Sequence, residues 1–370
     1  MEGVRPYPLE LVSEYNHRGW LGINIVDAFE VTCDIHPERE AVVEGDERLT
    51  YAELRERSYK AALAFSRLGL GRQTPVLLQV PNWIEAVVIY LGLQIIGVIP
   101  VLCLPRHGQR ELERFATLTG ARAWIGPARF GSIEYLPMVR ALTESCPHLE
   151  EVIVVRDEVP AGTLSFSQLV AGCQLEEATS DLFSQRRSSP DDVIHFAPTG
   201  GTTGVSKLVP KTHNAHLCKS YFFARTIGRS PWDVDLVVAP INHDAPQMMY
   251  VGPQALFGGK LVLCSSTKAK DILEHIEKER VTFCFLVPTL LADVLREPDM
   301  EKFDCSSLRA IVTGGAHCAP ELVQEAYNKL PSHFYNCYGM TEGAGFLTRA
   351  DDPFEVTAHT VGKKFCPYDK

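Results

Sequence analysis

Residues 199–213 read TGGTTGVSKLVPKTH and follow an apolar, strand-like run, VIHF, at 193–196. Glycines in such a loop let the backbone approach a ligand closely, and its hydroxyl side chains and N–H groups donate hydrogen bonds. Donors that converge from one loop form a site suited to an anion such as phosphate. Lys207 adds a positive charge at the end of the loop. The stretch therefore predicts a phosphate-binding loop that follows a buried strand.

Two common phosphate loops do not fit this stretch. The P-loop pattern G-x-x-x-x-G-K-[ST] places the lysine directly after a glycine. Here Lys207 lies three residues after Gly204 and is followed by Leu208. The dinucleotide pattern G-x-G-x-x-G is not matched either. The loop therefore belongs to another class of phosphate site.

Short apolar runs alternate with amphipathic or buried helical patterns on both sides of the loop. Examples are VLLQV at 76–80 and NWIEAVVIYLGLQIIG at 82–97, and Thr50 with Glu53 forms a capping box for a helix over 51–68. This alternation predicts an α/β fold with mostly parallel sheets. The polar stretch SQRRSSPDD at 184–192 predicts a boundary between a first α/β subdomain, 1–187, and a second, 188–370.

The composition excludes several function classes. The chain has 370 residues and a net charge of −10, so it lacks the basic surface that nucleic acids or anionic membranes require. The apolar residues 86–104 are interrupted by Gln94, Gly97 and Pro100, and they predict a buried helix running into a strand. Eleven cysteines without a C-x-x-C pair predict buried, reduced thiols. We therefore expect a cytoplasmic protein.

Several further motifs occur in order along nearly the whole chain. They are YGMTEG at 338–343, VTGGAHCAP at 312–320, PYPLELVSEYNHRGW at 6–20 and DDPFEVTAHTVGKKFCPYDK at 351–370. With the glycine loop, they resemble the adenylate-forming superfamily of acyl- and aryl-CoA synthetases, peptide-synthetase adenylation domains and luciferases. Ser206 stands where that family more often has proline. In having serine at this position, the chain resembles the stand-alone ligases that activate dihydroxybenzoate or salicylate.

The resemblance implies a fold and a reaction. The fold is the large N-terminal domain of that family, with two stacked α/β subdomains. A carboxylate attacks the α-phosphorus of ATP, pyrophosphate leaves, and a thiol then displaces AMP from the acyl-adenylate. The family's small C-terminal lid domain, with a lysine that bridges carboxylate and phosphate, would lie beyond Lys370. We therefore expect this chain to bind ligands and to turn over slowly or not at all.

The same resemblance assigns the nucleotide site and its chemistry. Tyr338 would stack on adenine, Asn336 would meet its amino group, and Thr341 would donate to the α-phosphate. Lys207 would face the β,γ-phosphates, and Glu342 would hold Mg²⁺, a cation that prefers oxygen ligands. The nucleotide-binding set as a whole is Thr199, Gly200, Gly201, Thr202, Thr203, Gly204, Lys207, Gly315, Ala316, Asn336, Tyr338 and Thr341. The catalytic set is His243, Lys207, Thr341 and Glu342.

The acid pocket is assigned in the same way, with His243 beside the substrate carboxylate. Asp244 stands where the dihydroxybenzoate enzymes have asparagine, and an ionised aspartate only accepts hydrogen bonds. That difference favours an ortho amino group, and thus 2-aminobenzoate (anthranilate). Met249 and Gly345 would leave room for a flat ring. The pocket set is His243, Asp244, Met249, Gly314, Cys337, Gly339 and Gly345.

Three functions remain open on the sequence. The first is activation of anthranilate with ATP and Mg²⁺ and transfer to CoA. The second is adenylation of salicylate or 2,3-dihydroxybenzoate with transfer to a carrier-protein thiol. The third is a non-catalytic module that binds a nucleotide or an aryl ligand.

Overall fold

Two large β-sheets form the framework of the protein. The computed structural model describes residues 4–5, 7–156, 159–175, 187–200 and 206–367. The strands, numbered along the chain, are β1 (Glu40–Glu44), β2 (Glu47–Thr50), β3 (Pro75–Leu78), β4 (Ile99–Leu102), β5 (Ala123–Gly126), β6 (Arg129–Phe130), β7 (Ile133–Glu134), β8 (Glu151–Val154), β9 (Leu164–Ser165), β10 (Val193–Pro198), β11 (Leu208–Thr212), β12 (Val234–Val237), β13 (Lys260–Leu263), β14 (Phe283–Leu286), β15 (Ala310–Gly314), β16 (His333–Met340), β17 (Gly343–Leu347) and β18 (Lys363–Lys364).

Helices connect most of these strands. They are α1 (Leu9–Arg18), α2 (Ile25–Ile35), α3 (Tyr51–Arg67), α4 (Ile84–Ile95), α5 (Gln109–Thr119), α6 (Leu136–Ser145), α7 (Phe166–Ala171), α8 (His213–Thr226), α9 (Asp244–Pro246), α10 (Gly252–Phe257), α11 (Ala269–Glu279), α12 (Pro288–Leu295), α13 (Pro320–Lys329) and α14 (Phe354–His359). A π-helical turn, Gln247–Val251, joins α9 to α10.

The seven-stranded sheet has the order β11-β10-β4-β3-β5-β8-β9, and the nine-stranded sheet has the order β18-β17-β16-β15-β14-β12-β13-β1-β2. Pairing is parallel through the middle of both sheets and antiparallel at β10–β11, β1–β2, β16–β17 and β17–β18. Parallel strands joined by helical crossovers bury both faces of a sheet. The α/β class with mostly parallel sheets is therefore confirmed.

Helix α4 shows how the layers pack. Every residue of this helix except Glu85 is buried, as expected for a helix that is apolar on all sides. It packs on α3 in a core that contains residues of both sheets, such as Leu78 of β3 and Val237 of β12. The neighbouring residues Leu77 and Leu236 belong to separate cores on the outer faces of the two sheets. The two sheets are thus stacked, with helices between them and on both outer faces.

The sheets exchange strands along the chain. Strands β1 and β2 lie in the nine-stranded sheet although they precede residue 187, and β10 and β11 lie in the seven-stranded sheet although they follow it. The subdomain division at residues 187 and 188 stays a prediction.

Other sequence-based expectations are met by the described chain. Residues 86–104 form most of α4 and then β4. Within the described ranges, the apolar helices are all too short to cross a bilayer. The eleven cysteines are buried thiols, as predicted.

Candidate active site

The glycine loop leaves β10 and returns as β11, so it connects two antiparallel strands. The neck of the loop is closed by two hydrogen bonds between Thr199 and Lys207. The Thr199 N–H donates to the Lys207 carbonyl at 2.9 Å, and the Lys207 N–H donates to the Thr199 hydroxyl at 3.1 Å. Gly200 lies just beyond this neck, whereas Gly201, Thr202, Thr203 and Gly204 fall outside the described residues.

A cavity of about 420 Å³ opens beside the loop neck, at the carboxyl ends of several parallel strands. Ligands of open α/β sheets bind at this edge. Residues predicted for the nucleotide and residues predicted for the acid both line it. The predicted residues that line the cavity are Gly200, His243, Asp244, Met249, Gly315, Cys337, Tyr338, Gly339, Thr341 and Gly345.

The hairpin β16–β17 forms one wall of the cavity. Tyr338 and Met340 are each 46% exposed, which is high for large apolar side chains on a strand. The turn of the hairpin is held by two lysines of the neighbouring β11 and α8. Lys211 donates to the Thr341 carbonyl, and Lys219 donates to the Gly343 carbonyl. The YGMTEG motif therefore forms a hairpin whose exposed ring faces the cavity.

Close backbone packing explains two of the predicted glycines. A Cβ at Gly314 would lie 2.6 Å from the Cys337 carbonyl oxygen of the adjacent strand β16. Gly315 has a φ of +83°, a left-handed conformation that favours glycine. Gly314 itself is buried and does not line the cavity, so it acts through the approach of β15 to β16.

His243 caps the short helix α9 beside the cavity. Its Nδ1 accepts a hydrogen bond from the Ala245 N–H at 3.2 Å, which places the ring proton on Nε2. Burial lowers the pKa of His243. The Asp244 carboxylate raises this pKa and the Arg106 guanidinium lowers it, and the net effect is a lowered pKa. The ring is therefore neutral at pH 7 and can donate one hydrogen bond from Nε2.

Asp244 is paired with a lysine that the sequence analysis did not assign. The Lys211 ammonium lies 3.5 Å from Oδ2 of Asp244, and the side chains are only 10% and 16% exposed. Burial alone would raise the pKa of Asp244, but Lys211 and His195 more than offset it, so the pKa lies well below its usual value. Asp244 is therefore ionised, and its charge is compensated.

Two buried histidines complete the surroundings of Asp244. His195 Nε2 lies 3.7 Å from Asp244 Oδ1, and His195 Nδ1 is 3.0 Å from the Tyr90 hydroxyl. His195, His216 and Asp244 each offer a ligand atom, and these atoms lie within 4.8 Å of one another. The Lys211 ammonium already supplies a positive charge at Asp244, so the cluster does not need a metal ion to balance that carboxylate.

Four other predicted residues lie away from the cavity wall. Asn336 is buried, and its amide donates to the carbonyls of Thr357 and Thr360 at 3.3 and 3.0 Å. That amide therefore holds the end of α14, and its role toward adenine stays a prediction. Lys207 and Ala316 are exposed near the cavity, and Glu342 is exposed on the hairpin turn, beside a second cavity of about 210 Å³. A carboxylate is a donor that suits Mg²⁺, and the role of Glu342 toward that ion stays a prediction.

Lys211, Lys219 and Arg106 are the charged residues of this site that sequence reasoning missed. Lys211 is the last residue but one of β11, and Lys219 lies on α8, so both follow the glycine loop in the chain. A basic residue soon after a phosphate loop was the available signal. Arg106 lies at the cavity after β4 and has no motif around it.

The sequence profile described as AMP-binding enzyme matches residues 29–369. The chain belongs to this family. The 2,3-dihydroxybenzoate-AMP ligase of Bacillus subtilis is 28% identical over 375 residues, which cover 100% of this chain and 67% of that protein. The "Salicyl-AMP ligase / salicyl-S-ArCP synthetase" of Mycobacterium tuberculosis is 31% identical, with 100% and 65% covered.

The fold agrees with this membership. The apo structure of MbtA from Mycobacterium smegmatis superimposes with a TM-score of 0.89 at 28% identity, covering 99% of this chain and 66% of that one. The architecture is that of the large domain of adenylate-forming enzymes. The chain spans about two thirds of the length of the curated relatives that it matches.

Proposed function

We propose that the protein takes part in the ATP-dependent adenylation of an aromatic carboxylic acid. The observation that carries this proposal is that one cavity is lined by both sets of predicted residues. Gly200, Gly315 and Tyr338 belong to the predicted nucleotide site, and His243 and Met249 belong to the predicted acid pocket. A volume of about 420 Å³ lies in the usual range of small-ligand sites.

The proposed reaction brings two anions together, the carboxylate of the acid and the phosphate chain of ATP. The acid is already ionised, so the protein has to align its oxygen with the α-phosphorus and offset negative charge. His243 would donate from Nε2 to the carboxylate, and Thr341 would donate its hydroxyl to the α-phosphate. Arg106 and Lys207 would supply positive charge. Glu342 would hold Mg²⁺, which neutralises phosphate charge when bound.

For the acid, we propose a 2-hydroxybenzoate ahead of 2-aminobenzoate. The preference for the amine rested on Asp244 acting only as an acceptor of hydrogen bonds. Asp244 is paired with Lys211, and a neutral phenol O–H donates to a carboxylate as well as an aromatic amine does. The relatives from B. subtilis and M. tuberculosis are named for dihydroxybenzoate and salicylate, which both carry an ortho hydroxyl.

For the thiol that receives the acyl group, we propose a carrier protein ahead of CoA. The support is the name of the M. tuberculosis relative, which specifies a salicyl-S-ArCP product. Incubation of the 2-hydroxybenzoyl-adenylate-loaded protein with a carrier protein or with CoA would distinguish the two acceptors by the thioester that forms.

Binding of a stable adenylate analogue tests the proposed function. The ligand is an analogue of 2-hydroxybenzoyl-adenylate in which a stable acyl-sulfamate replaces the hydrolysable mixed anhydride. We expect it to bind the wild-type chain in calorimetric titration. Tyr338→Ala removes the exposed ring, and we expect its affinity to fall about tenfold, since stacking on a base contributes roughly 1–3 kcal/mol.

Tyr327→Ala is the matched control, because Tyr327 is another tyrosine of similar exposure, 39%, outside the cavity wall. Its affinity should equal that of the wild type. Equal affinity in Tyr338→Ala, or failure of the wild type to bind the analogue, would contradict the proposal.

A further inference from the structure

The acid end of the cavity contains a buried ion pair whose partners have different surroundings. Asp244 lines both the 420 Å³ cavity and the smaller one of about 210 Å³, whereas Lys211 lines the smaller cavity and not the larger. Lys211 donates to the carbonyl of Thr341 and lies 3.5 Å from Asp244. The ammonium is thus fixed between the hairpin turn and the carboxylate. A ligand in the acid pocket therefore meets Asp244 first, with Lys211 behind it.

The two buried histidines beside Asp244, and the tyrosine that contacts one of them, carry no charge at neutral pH. Burial lowers the pKa of His195, although Asp244 opposes this, and it lowers the pKa of His216 to well below its usual value. Burial also raises the pKa of Tyr90, which contacts His195. Among the residues that the structure describes, the lysine within ion-pair distance of Asp244 is Lys211. The charges of the Asp244 carboxylate and the Lys211 ammonium therefore sum to zero.

A neutral pair selects its ligand by hydrogen bonding. A phenol or aromatic amine can donate to Asp244 and brings no charge into the site. An ammonium would lose its hydration on entry, and a carboxylate already neutralised by Lys211 would not repay that loss. Acids with a cation at this position are therefore excluded although the site contains an aspartate.

We propose that Lys211 determines the specificity of the acid site by neutralising Asp244, so that the site takes aryl acids with an uncharged ortho hydrogen-bond donor and rejects those with an ortho ammonium. This inference rests on the proposed function. Lys211 acts here through Asp244 and not by contact with the acid.

Three acyl-sulfamate adenosine analogues that differ only in the ortho group test the inference. They carry a 2-hydroxybenzoyl, a 2-(aminomethyl)benzoyl or a 2-carboxybenzoyl group, which are neutral, cationic and anionic there. We expect the wild-type chain to prefer the neutral analogue to both others by at least about tenfold. Lys211→Met leaves Asp244 uncompensated, and the ratio should shift toward the cationic analogue by about tenfold or more.

Asp244→Asn tests the opposite change in charge and keeps the shape of the side chain. It tests the inference even if Lys211→Met does not fold. It leaves Lys211 uncompensated, so the ratio should shift toward the 2-carboxybenzoyl analogue by about tenfold. Lys211→Arg keeps the charge and should keep the wild-type order. Lys260→Met removes another ion-paired lysine, bonded to Glu279 at 3.0 Å, and should also keep that order.

The outcomes separate this inference from the proposed function. If the wild type binds none of the analogues, the proposed function and the inference both fail. If it binds the 2-hydroxybenzoyl analogue but Asp244→Asn, or a folded Lys211→Met, keeps the wild-type ratios, only the role of Lys211 is overturned. Opposite shifts in the two variants support the inference.

Discussion

At the scale of single residues, Gly345 keeps the acid side of the cavity open. This glycine of β17 packs directly on the ring of Phe365, which also lines the cavity. A Cβ at position 345 would lie 2.2 Å from Cε1 of that ring, closer than van der Waals contact allows. The ring or the strand would have to move, and either shift would change the wall against which an aryl group packs.

We therefore predict that Gly345→Ala loses stability and ligand affinity together. Overpacking of this kind typically costs about 1–3 kcal/mol in the free energy of unfolding, measured by urea denaturation. Affinity for the 2-hydroxybenzoyl analogue should fall about tenfold, because the wall against which the aryl group packs would change. A tenfold loss of affinity corresponds to roughly 1.4 kcal/mol. Gly343→Ala is the stability control, since a Cβ at Gly343 would meet no atom within 4 Å. Unfolding free energies that match in both variants would contradict this role of Gly345.

Residues in contiguous motifs were the predictable part of this site. The motif at 338–343 identified Tyr338 and Thr341, and both line the cavity. Lys211 and Asp244 are 33 positions apart in the chain, and their pairing depends on how β11 packs against α9. No local pattern encodes that contact, so the aspartate was interpreted without its counter-charge.

At the scale of elements, helix α8 is fixed by a neutral histidine at its start. Thr212 caps the helix by accepting from the Ala215 N–H at 3.2 Å, and His213 is its first residue. His213 Nδ1 accepts from the Ile25 N–H at 3.2 Å, which joins α8 to the start of α2. Burial, with a smaller effect of His195, lowers the pKa of His213 to about 3.

This histidine predicts a loss of stability in mild acid. Below pH about 6.5 the unfolded chain binds a proton that folded His213 does not, so the free energy of unfolding falls as the pH decreases toward 3. Between pH 7 and pH 5 the contribution of His213 is about 2 kcal/mol, at roughly 1.4 kcal/mol per pH unit. Urea denaturation of His213→Gln at the two pH values should show a difference smaller by about that amount.

The exposed His333 provides the control for this measurement. His333→Gln should keep the wild-type difference in unfolding free energy between pH 7 and pH 5. If His213→Gln also keeps it, protonation of His213 is not linked to folding.

The elements themselves were predicted well where the pattern was local. The capping box of Thr50 and Glu53 begins α3 as expected, and the apolar runs became buried strands. The helical segment at residues 244–257 is divided into α9, a π-helical turn and α10. Its interruption lies beside the cavity, where tertiary contacts override helix propensity. Helices α1, α2, α6, α7, α12 and α14 were not predicted. Helix α1 has no fully buried residue, and the buried residues of α6 are Val139 and Leu142.

At the scale of the whole molecule, the cavity lies where the two sheets are joined. Asn82, after β3 of one sheet, donates to the Val237 carbonyl of β12 in the other at 3.0 Å and accepts from the Ile241 N–H at 2.7 Å. Asn242, after β12, donates back to the Val80 carbonyl at 2.9 Å. These buried amides fix the carboxyl ends of both sheets against each other. The order of strands in the sheets could not be read from the chain, because it depends on contacts between distant residues.

The most direct measurement is a crystal structure of this chain with the acyl-sulfamate analogue of 2-hydroxybenzoyl-adenylate. We predict adenine against the Tyr338 ring, the sulfamate near Thr341, and the aryl ring beside Met249 with its ortho oxygen within hydrogen-bond distance of Asp244. A ligand bound outside the cavity, or reversed so that the aryl ring lies on Tyr338, would contradict the account.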